Sequence, residues 1–357
     1  MTELPIRPDT PWLAPLAGWS DLSFRLLCRE QGAAVCCTEM VSAKGLVYGG
    51  RSTESLLATT PEAGETLEDG SCVCDRPLVV QIFGAEAAFM AQAVERLRRR
   101  GFCWFDVNMG CSVPKVTKTG AGAAMLRDMD NALRVAEAVL QAAGPGRVGF
   151  KLRLGWDGEH EVHRELSSRL AGLGAGWVTL HPRHAVQGFS GTPRSLALAE
   201  LAALLPVPVI ASGDLFTAAD GVRVLRETGV AAVMYARGAL RDPSIFARHR
   251  ALLAVGELPD RAELPPRETP LAAQDACDVL DELPVDRVRL AGIIRRHAFL
   301  ARRYAPREAL FKMRTVVPRY VKGGDGARVL RQELVACRSW MDVDAVLEKH
   351  FGDHCHE

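Results

Sequence analysis

The chain has 357 residues, 48% of them hydrophobic and 24% charged, and its formal net charge is +1. These values are those of an ordinary globular protein, which excludes the disordered and fibrous classes. No stretch approaches the roughly 18 uninterrupted apolar residues of a membrane span, and the start MTELPIRPDTPW lacks the apolar core of a secretory signal, so we predict a cytoplasmic protein.

Eight short apolar runs recur along the first two thirds of the chain, with amphipathic segments between most of them. The runs are Trp12–Ala17, Ala34–Val41, Pro77–Gly84, Trp104–Gly110, Arg147–Gly155, Trp177–Arg183, Pro208–Asp214 and Ala231–Gly238. Strands and helices that alternate in this way are typical of a (β/α)8 barrel, the TIM barrel. A doubly wound open sheet is the alternative, but it usually has fewer strands, and no Gly-x-Gly-x-x-Gly follows the first run.

The pattern changes after Gly238. The Pro-rich polar stretch Leu258–Pro270 is typical of a linker. Beyond it the sequence predicts helices at 272–283, 286–303, 307–320, 325–339 and 342–350. We therefore predict a catalytic barrel domain over residues 1–256, a linker over 257–271 and a small all-α helical domain over 272–357.

The predicted helical domain contains a strongly basic stretch. Between residues 285 and 331, thirteen basic residues stand against Asp286, Glu308 and Asp325, so this stretch carries +10 and the rest of the chain −9. The basic residues are Arg287, Arg289, Arg295, Arg296, Arg302, Arg303, Arg307, Lys312, Arg314, Arg319, Lys322, Arg328 and Arg331. This asymmetry is typical of a nucleic-acid-binding face, although a solvated helical surface explains the charge equally well.

Polar residues stand where most of the predicted strands end. In chain order these strand-end residues are Glu39, Gln81, Asn108 with Cys111 just beyond, Lys151, Arg153, His181, Arg183, Ser212, Asp214 and Arg237. In a β/α barrel the active site lies at the carboxyl ends of the strands. A single such residue is explained as a satisfied polar group, whereas their occurrence on seven of eight strands predicts a reactive site.

The last two strands end in glycine-bearing turns, Ser212-Gly213-Asp214 and Ala236-Arg237-Gly238. Loops after strands seven and eight of this fold commonly bind phosphate through backbone N–H groups. We therefore predict a phosphate-bearing cofactor here, with Lys151 or Arg237 near its anionic part.

The fourth strand leads into Asn108-Met109-Gly110-Cys111-Ser112-Val113-Pro114-Lys115-Val116. Gly110 allows a tight turn that exposes the thiol of Cys111 at the mouth of the barrel. A cysteine in this position acts as a nucleophile or as a general acid. The other nine cysteines are interpreted mostly as reduced, buried hydrophobic residues.

Two cysteine-containing segments have residue types that bind metals. Cys72 and Cys74 lie in a polar loop, and the tail reads Asp353-His354-Cys355-His356. Neither has the Cys-x-x-Cys spacing of a zinc site. We interpret them as a loop and a frayed terminus, and predict no metal.

Together these segments resemble the tRNA-dihydrouridine synthase family. In the barrel the resemblance rests on Ala14-Pro15-Leu16-Ala17-Gly18, Thr38-Glu39-Met40-Val41-Ser42-Ala43, Val80-Gln81-Ile82-Phe83-Gly84, Asp106-Val107-Asn108-Met109-Gly110-Cys111, Lys151-Leu152-Arg153-Leu154-Gly155, His181 with Arg183, Gly213-Asp214 and Arg237-Gly238-Ala239-Leu240. In the tail it rests on His297, Tyr304, Met313-Arg314 and Tyr320-Val321-Lys322-Gly323. The similarity covers nearly the whole chain.

The resemblance implies an FMN enzyme that uses NADPH to reduce uridines in tRNA to 5,6-dihydrouridine. Reduced flavin would deliver hydride to C6 of the uracil, and Cys111 would protonate C5. A target base inside folded RNA must be pulled out of its stack, which requires a second surface that grips the RNA backbone. The basic helical domain suits that task, so RNA binding is favoured over a merely solvated surface.

The resemblance also implies roles for individual residues. The flavin ring and ribityl chain would contact Pro15, Leu16, Gln81, Lys151 and His181. The phosphate end would be surrounded by Ser212, Gly213, Asp214, Ala236, Arg237 and Gly238. The RNA substrate would contact Asn108, Arg183 and Arg314.

Several positions differ from the usual pattern of this family. Ser112 follows the cysteine where proline is usual, Ser212 replaces an asparagine, and Ala236 replaces a glycine. His184-Ala185 stand in place of Thr-Arg, and Thr315 in place of lysine.

Two other functions stay open. An FMN barrel oxidoreductase that acts on a small molecule, similar to dihydroorotate dehydrogenase, would share the flavin site but would not need a basic helical domain. A non-catalytic RNA-binding paralogue would not need Cys111, Lys151 and His181. A monomer fits the predicted two-domain arrangement.

Overall fold

The computed structural model describes residues 3–255, 287–321 and 326–351. Its centre is a ring of parallel strands in which β1 pairs with β2 on one side and with β8 on the other. The strands are β1 (Trp12–Leu13), β2 (Val35–Cys37), β3 (Leu78–Phe83), β4 (Trp104–Met109), β5 (Val148–Arg153), β6 (Trp177–His181), β7 (Val209–Ala211) and β8 (Ala232–Tyr235). The predicted TIM barrel is confirmed, and each predicted run contains one strand.

Helices surround the ring. The longer ones are Leu22–Glu30, Ala87–Arg99, Met129–Ala143, His163–Gly172, Leu196–Leu204, Ala218–Thr228 and Ile245–Val255. The shorter ones are Ala43–Val47, Arg51–Ser55, Pro114–Thr117, the 3-10 helix Gly122–Arg127, and Arg237–Arg241. The two-residue strand Val41–Ser42 pairs with the end of β3, and Glu65–Thr66 forms a small antiparallel hairpin with Cys72–Val73.

Local sequence signals explain where the helices begin. The side chain of Asp21 accepts a hydrogen bond from the N–H of Phe24 and so caps the helix Leu22–Glu30. Thr217 and Asp220 form a reciprocal capping box at the start of Ala218–Thr228.

The strand register sets the predicted site residues side by side. At the carboxyl ends it places Gln81 opposite Asp106, Asn108 opposite Lys151, and Arg153 opposite His181. Side chains two residues apart on a strand share a face, so these groups converge at one end of the ring.

Apolar side chains fill the barrel itself. Trp12 and Trp177 meet edge to face with ring centroids 5.6 Å apart, and Val79, Ile210 and Met234 belong to the same buried cluster. A second apolar layer lies between the strands and the helices. Apolar side chains thus pack both faces of the strands. Because the polar side chains at the carboxyl ends are not needed for this core, they are available for a site.

Four further helices form what we call the C-terminal bundle: Arg287–Tyr304, Ala309–Tyr320, Ala327–Ala336 and Trp340–Phe351. The predicted segments 286–303, 307–320, 325–339 and 342–350 agree with them to within three residues at each end. The linker 257–271 and the helix 272–283 lie outside the described residues. The domain boundaries therefore stay a prediction.

The bundle packs on the barrel through the helix Leu22–Glu30. The rings of Phe24 and His297 lie 5.7 Å apart. At the edge of this contact, the guanidinium of Arg296 pairs with the carboxylate of Glu30 at 2.6 Å. Apolar and ionic contacts together hold the basic helices against the barrel.

A buried ion pair ties the same barrel helix to the segment before β3. Arg25 and Asp75 are 1% and 0% exposed, and Nη2 of the arginine lies 2.7 Å from a carboxylate oxygen. The guanidinium of Arg25 also donates hydrogen bonds to the carbonyls of Ser20 at 2.8 Å and Ala58 at 2.6 Å. Removing the carboxylate would leave a buried positive charge without compensation.

We expect Asp75→Ala to lower the free energy of unfolding by about 3–5 kcal/mol, because the guanidinium of Arg25 would stay buried and unpaired. The matched control is Asp9→Ala, since Asp9 pairs with Arg7 where the two side chains are 59% and 66% exposed. That pair contributes at most about 1 kcal/mol. Chemical denaturation measures both variants, and equal losses would contradict the prediction.

Candidate active site

A chain of hydrogen bonds crosses the carboxyl ends of β3 and β4. The amide nitrogen of Gln81 donates to Asp106 at 2.7 Å, and its oxygen accepts from the amide nitrogen of Asn108 at 2.8 Å. The side-chain oxygen of Asn108 then accepts from the N–H groups of Gly110 at 3.2 Å and Cys111 at 2.9 Å. Buried side chains therefore fix the backbone that presents the Cys111 thiol.

The loop that carries Cys111 closes on itself. The carbonyl of Cys111 accepts from the N–H of Ala123 at 2.9 Å. The cysteine residue is partly exposed, whereas Asn108 is only 5% exposed and Gln81 is fully buried. Asn108 thus holds the cysteine loop through hydrogen bonds. The contact of Asn108 with substrate and that of Gln81 with flavin stay predictions.

Arg153 joins the loop after β4 to the loop after β6. Its Nε donates to the carbonyl of Gly110 at 2.8 Å, and its Nη1 donates to those of His184 at 2.9 Å and Gly188 at 2.8 Å. The next residue, Phe189, is 53% exposed at this rim. One guanidinium therefore holds together two loops that frame the mouth.

Asp214 holds two arginines at the end of β7. Arg183 donates to its two carboxylate oxygens at 2.8 and 2.5 Å, and Arg237 donates to it at 2.6 Å. The side chain of Arg183 is 1% exposed, and its other donors reach the carbonyls of Ser190 and Gly191. Arg183 thus positions Asp214 and the loop after β6, and its direct contact with substrate stays a prediction.

The two glycine-bearing turns are tightly packed. At Gly213, whose φ is +103°, a Cβ would lie 2.4 Å from the His181 ring. At Gly238 a Cβ would lie 2.4 Å from the carbonyl oxygen of Leu215. No side chain fits at either position, so the backbone itself forms this part of the rim.

His181 lies among four cationic side chains, those of Lys151, Arg153, Arg183 and Arg237. Burial, with repulsion from these charges added to it, holds the pKa of His181 far below its usual range. The imidazole is therefore neutral at physiological pH. These four cations outnumber the carboxylate of Asp214 that pairs with two of them, and an excess of positive charge favours an anionic ligand.

Asp106 and Lys151 are two ionisable groups on the neighbouring strands β4 and β5. Burial raises the pKa of Asp106 to about 7, against the opposing effects of the Gln81 hydrogen bond and the charge of Lys151. Burial lowers the pKa of Lys151 to about 8, against the attraction of Asp106. Among the described residues the Oδ1 atom of Asp106 is buried without a hydrogen-bond partner. The ionisation of both groups thus changes near neutral pH.

The other residues predicted to bind the cofactor or the substrate lie around the same rim, with one exception. Pro15 and Leu16 occupy the loop after β1, Ser212 follows β7, and Ala236 precedes the helix Arg237–Arg241. Arg314 lies in the C-terminal bundle, where its guanidinium donates to the carbonyl of Val335. The structure therefore does not place Arg314 with the residues of the barrel mouth.

The structure adds Asp106, Phe189 and Phe216 to the predicted set. The guanidinium of Arg237 lies 4.5 Å and 4.8 Å from the ring centroids of Phe189 and Phe216. Asp106 could have been found, because it precedes Asn108 by two residues and shares its face of the strand. The two phenylalanines lie in loops, where no periodicity indicates which side chain turns toward the mouth.

Metal-ligating residue types do not gather in the described parts of the chain. Within residues 3–255, 287–321 and 326–351, no group of three or more His, Cys, Asp or Glu side chains could hold a metal ion. Cys28, Cys36, Cys37 and Cys337 are buried, whereas Cys72 is exposed in its hairpin. The tail cluster 353–356 lies outside the described residues.

Across those same ranges, no helix combines the length and the apolar character that crossing a membrane requires.

We expect the stability of Asp106→Asn relative to wild type to rise as the pH increases from 5 to 8. A carboxyl whose folded pKa of about 7 exceeds its unfolded value of about 4 binds more protons in the folded state, so wild type loses stability across that window. Asparagine is neutral throughout. Denaturation at several pH values measures the difference, with the exposed Asp9→Asn as control. A difference that does not change with pH would contradict the raised pKa.

Comparisons with known proteins find relatives over most of this chain. A family model described as dihydrouridine synthase matches residues 12–355. The tRNA-dihydrouridine synthase B of Xanthomonas campestris pv. campestris is 35% identical over 246 residues, which cover 69% of this chain and 70% of that protein. A probable tRNA-dihydrouridine synthase 1 of Synechocystis sp. is 31% identical over 340 residues, 94% of this chain and 84% of that one. The chain belongs to the dihydrouridine synthase family.

Proposed function

We propose that this protein reduces uridines in tRNA to 5,6-dihydrouridine, with FMN as its cofactor and NADPH as the reductant. The observation that carries the proposal is the placement of Cys111, which is partly exposed and whose backbone N–H is held by Asn108 at 2.9 Å. Through Gly110, the same loop is held by Arg153 of the cationic rim. Family membership supports the same reaction.

The residues present fit a flavin that carries a phosphate. Backbone forms the turns at Gly213 and Gly238, where no Cβ can be accommodated, and such turns approach phosphate closely. Lys151 and Arg237 supply positive charge at the same rim, and His181 offers a neutral ring beside it. We propose that these residues, with Pro15, Leu16, Gln81, Ser212, Asp214 and Ala236, hold FMN.

When bound, FMN would supply the hydride that adds to C6 of the uracil. Addition at C6 leaves an enolate-like anion that must be protonated at C5. We assign this proton to the Cys111 thiol, because its partly exposed loop places an S–H donor at the mouth of the barrel. The partly exposed loop lets the resulting thiolate recover its proton from water, which completes the addition of two hydrogens.

The remaining residues would orient the reactants. Asn108 fixes the cysteine backbone from β4, and Arg153 holds the two loops between which a base would enter. The C-terminal bundle, including Arg314, would contact the RNA backbone while the target base is out of its stack. We propose that the protein acts on tRNA as a monomer in the cytoplasm.

We expect dihydrouridine to disappear from at least one tRNA position in cells that lack this protein, and to return when the protein is restored. Sequencing of chemically reduced tRNA maps the position. In vitro, unmodified tRNA should accelerate reoxidation of the NADPH-reduced enzyme. Reoxidation that no RNA accelerates would contradict the proposal and favour a small-molecule substrate.

We expect Cys111→Ala to slow dihydrouridine formation by about 10²- to 10⁴-fold, the usual contribution of a general acid, while the Kd for tRNA stays unchanged. The matched control is Cys103→Ala, since Cys103 is also partly exposed but its thiol contacts the carbonyl of Gly101. Single-turnover assays measure the rate, and anisotropy measures binding. An unchanged rate would exclude the cysteine as the acid.

A further inference from the structure

A cleft lies where the C-terminal bundle meets the loop after β1. It has a volume of about 500 Å³ and is lined by residues of both parts, among them Trp19 of the barrel loop and Arg307, Phe311 and Lys312 of the bundle. This volume is within the range of about 300–1,000 Å³ that is usual for small-ligand sites. The cleft is separate from the cationic rim around His181.

An aromatic side chain is displayed in this cleft. Phe311 is 68% exposed, whereas Met313, Val316 and Val317 of the same helix are buried against the bundle core. Trp19 is partly buried, and the guanidinium of Arg319 lies 4.2 Å from its ring centroid. Aromatic faces beside cations are typical of sites that stack single-stranded nucleobases.

Within the described ranges, the ion pairs around the cleft leave two cations, Arg307 and Arg319, for an external anion. Most of the neighbouring cations are paired with carboxylates: Arg295 with Glu348, Arg296 with Glu30 and Asp69, Arg302 with Asp344, Arg303 with Glu65 and Glu68, and Lys312 with Asp21. Among the described residues, no carboxylate is ion-paired with Arg307 or Arg319. Glu308 is the acidic residue of the lining.

A continuous path of contacts leads from the cleft to Cys111. The backbone N–H of Gly18, which lines the cleft, donates to the carboxylate of Glu39 at the end of β2. The adjacent Met40 sulfur accepts from the amide nitrogen of Asn108 at 3.0 Å, and Asn108 holds Cys111. A short chain of contacts through the loops after β1 and β2 therefore links the cleft to the loop of the reactive thiol.

We propose that this cleft binds the base of a nucleotide adjacent to the target uridine, stacked on Phe311 beside Trp19, with its phosphate near Arg307 and Arg319. The inference rests on the proposed function, since it extends the RNA site outward from Cys111. Stacking of this kind accepts any base. The cleft would thus hold the strand on one side of the extruded uridine without reading its sequence.

We expect Phe311→Ala to weaken binding of an unmodified tRNA transcript to the full-length protein by about tenfold, within the ~5- to 150-fold range of one stacked base. Phe311→Trp should retain wild-type affinity. The control is Met341→Ala, because Met341 is 82% exposed on another helix of the bundle. This variant should bind the transcript with wild-type affinity. Fluorescence anisotropy measures each Kd. An unchanged Kd for Phe311→Ala would overturn the proposal.

Transcripts that lack one base identify what Phe311 contacts. An abasic nucleotide is placed on the 5′ or the 3′ side of the uridine that the enzyme reduces. One of the two transcripts should bind the wild-type protein about tenfold more weakly than the complete transcript. For that transcript Phe311→Ala should not change the Kd further, because the missing base and the missing ring belong to one contact. If the variant weakens all transcripts equally, Phe311 does not stack on a neighbouring base and the proposal fails.

The two levels of inference fail in different ways. If wild type forms no dihydrouridine in any transcript, the proposed function is wrong, whatever the behaviour of Phe311→Ala. If wild type is active and the variant binds every transcript with wild-type affinity, only the cleft assignment is wrong.

Discussion

The amide of Gln81 connects Asp106, buried in the barrel, to the reactive rim. An oxygen of Asp106 accepts a hydrogen bond from the NH₂ end of the Gln81 amide, which leaves the amide oxygen facing Asn108. The oxygen of Gln81 accepts a hydrogen bond from the NH₂ group of Asn108. The side-chain oxygen of Asn108 is then free to accept a hydrogen bond from the backbone N–H of Cys111. The orientation of two amides thus sets the position of the cysteine loop. The register that puts Gln81 opposite Asp106 makes this arrangement possible.

The barrel could be predicted from the sequence because eight apolar runs carry the period of buried strands, and parallel strands direct their carboxyl ends to one rim. Glu39, Asn108 and Lys151 were found on that basis. The partners within the rim were not predictable, because they depend on loop conformation. Asp214 illustrates this: its φ of +50° accompanies a carboxylate shared between Arg183 and Arg237, and no spacing in the sequence indicates such sharing.

The basic stretch shows why the charge of a segment is a poor measure of what it offers to a partner. Its net charge of +10 counts residues along the chain, but the fold uses several of them internally. Arg296 pairs with Glu30 and Asp69 of the barrel, and Lys312 pairs with Asp21. Burial tends to raise the pKa of Asp21, but the charge and the hydrogen bond of Lys312, together with His297 and the N–H of Phe24, outweigh burial and hold that pKa below its usual range. These cations fasten the bundle to the barrel, so only the others are available to an external partner.

The positions that differ from the family pattern are ones where the backbone accepts a side chain. Ala236 has a φ of −119°, so it does not adopt the left-handed backbone that favours glycine. Pro114 occupies the first turn of the helix Pro114–Thr117, where the ring of proline is favoured, and Ser112 keeps its backbone N–H. Glycine stays at Gly213 and Gly238, where a Cβ would collide with a neighbour. The changes at Ala236 and Ser112 therefore leave both tightly packed glycines of the rim in place.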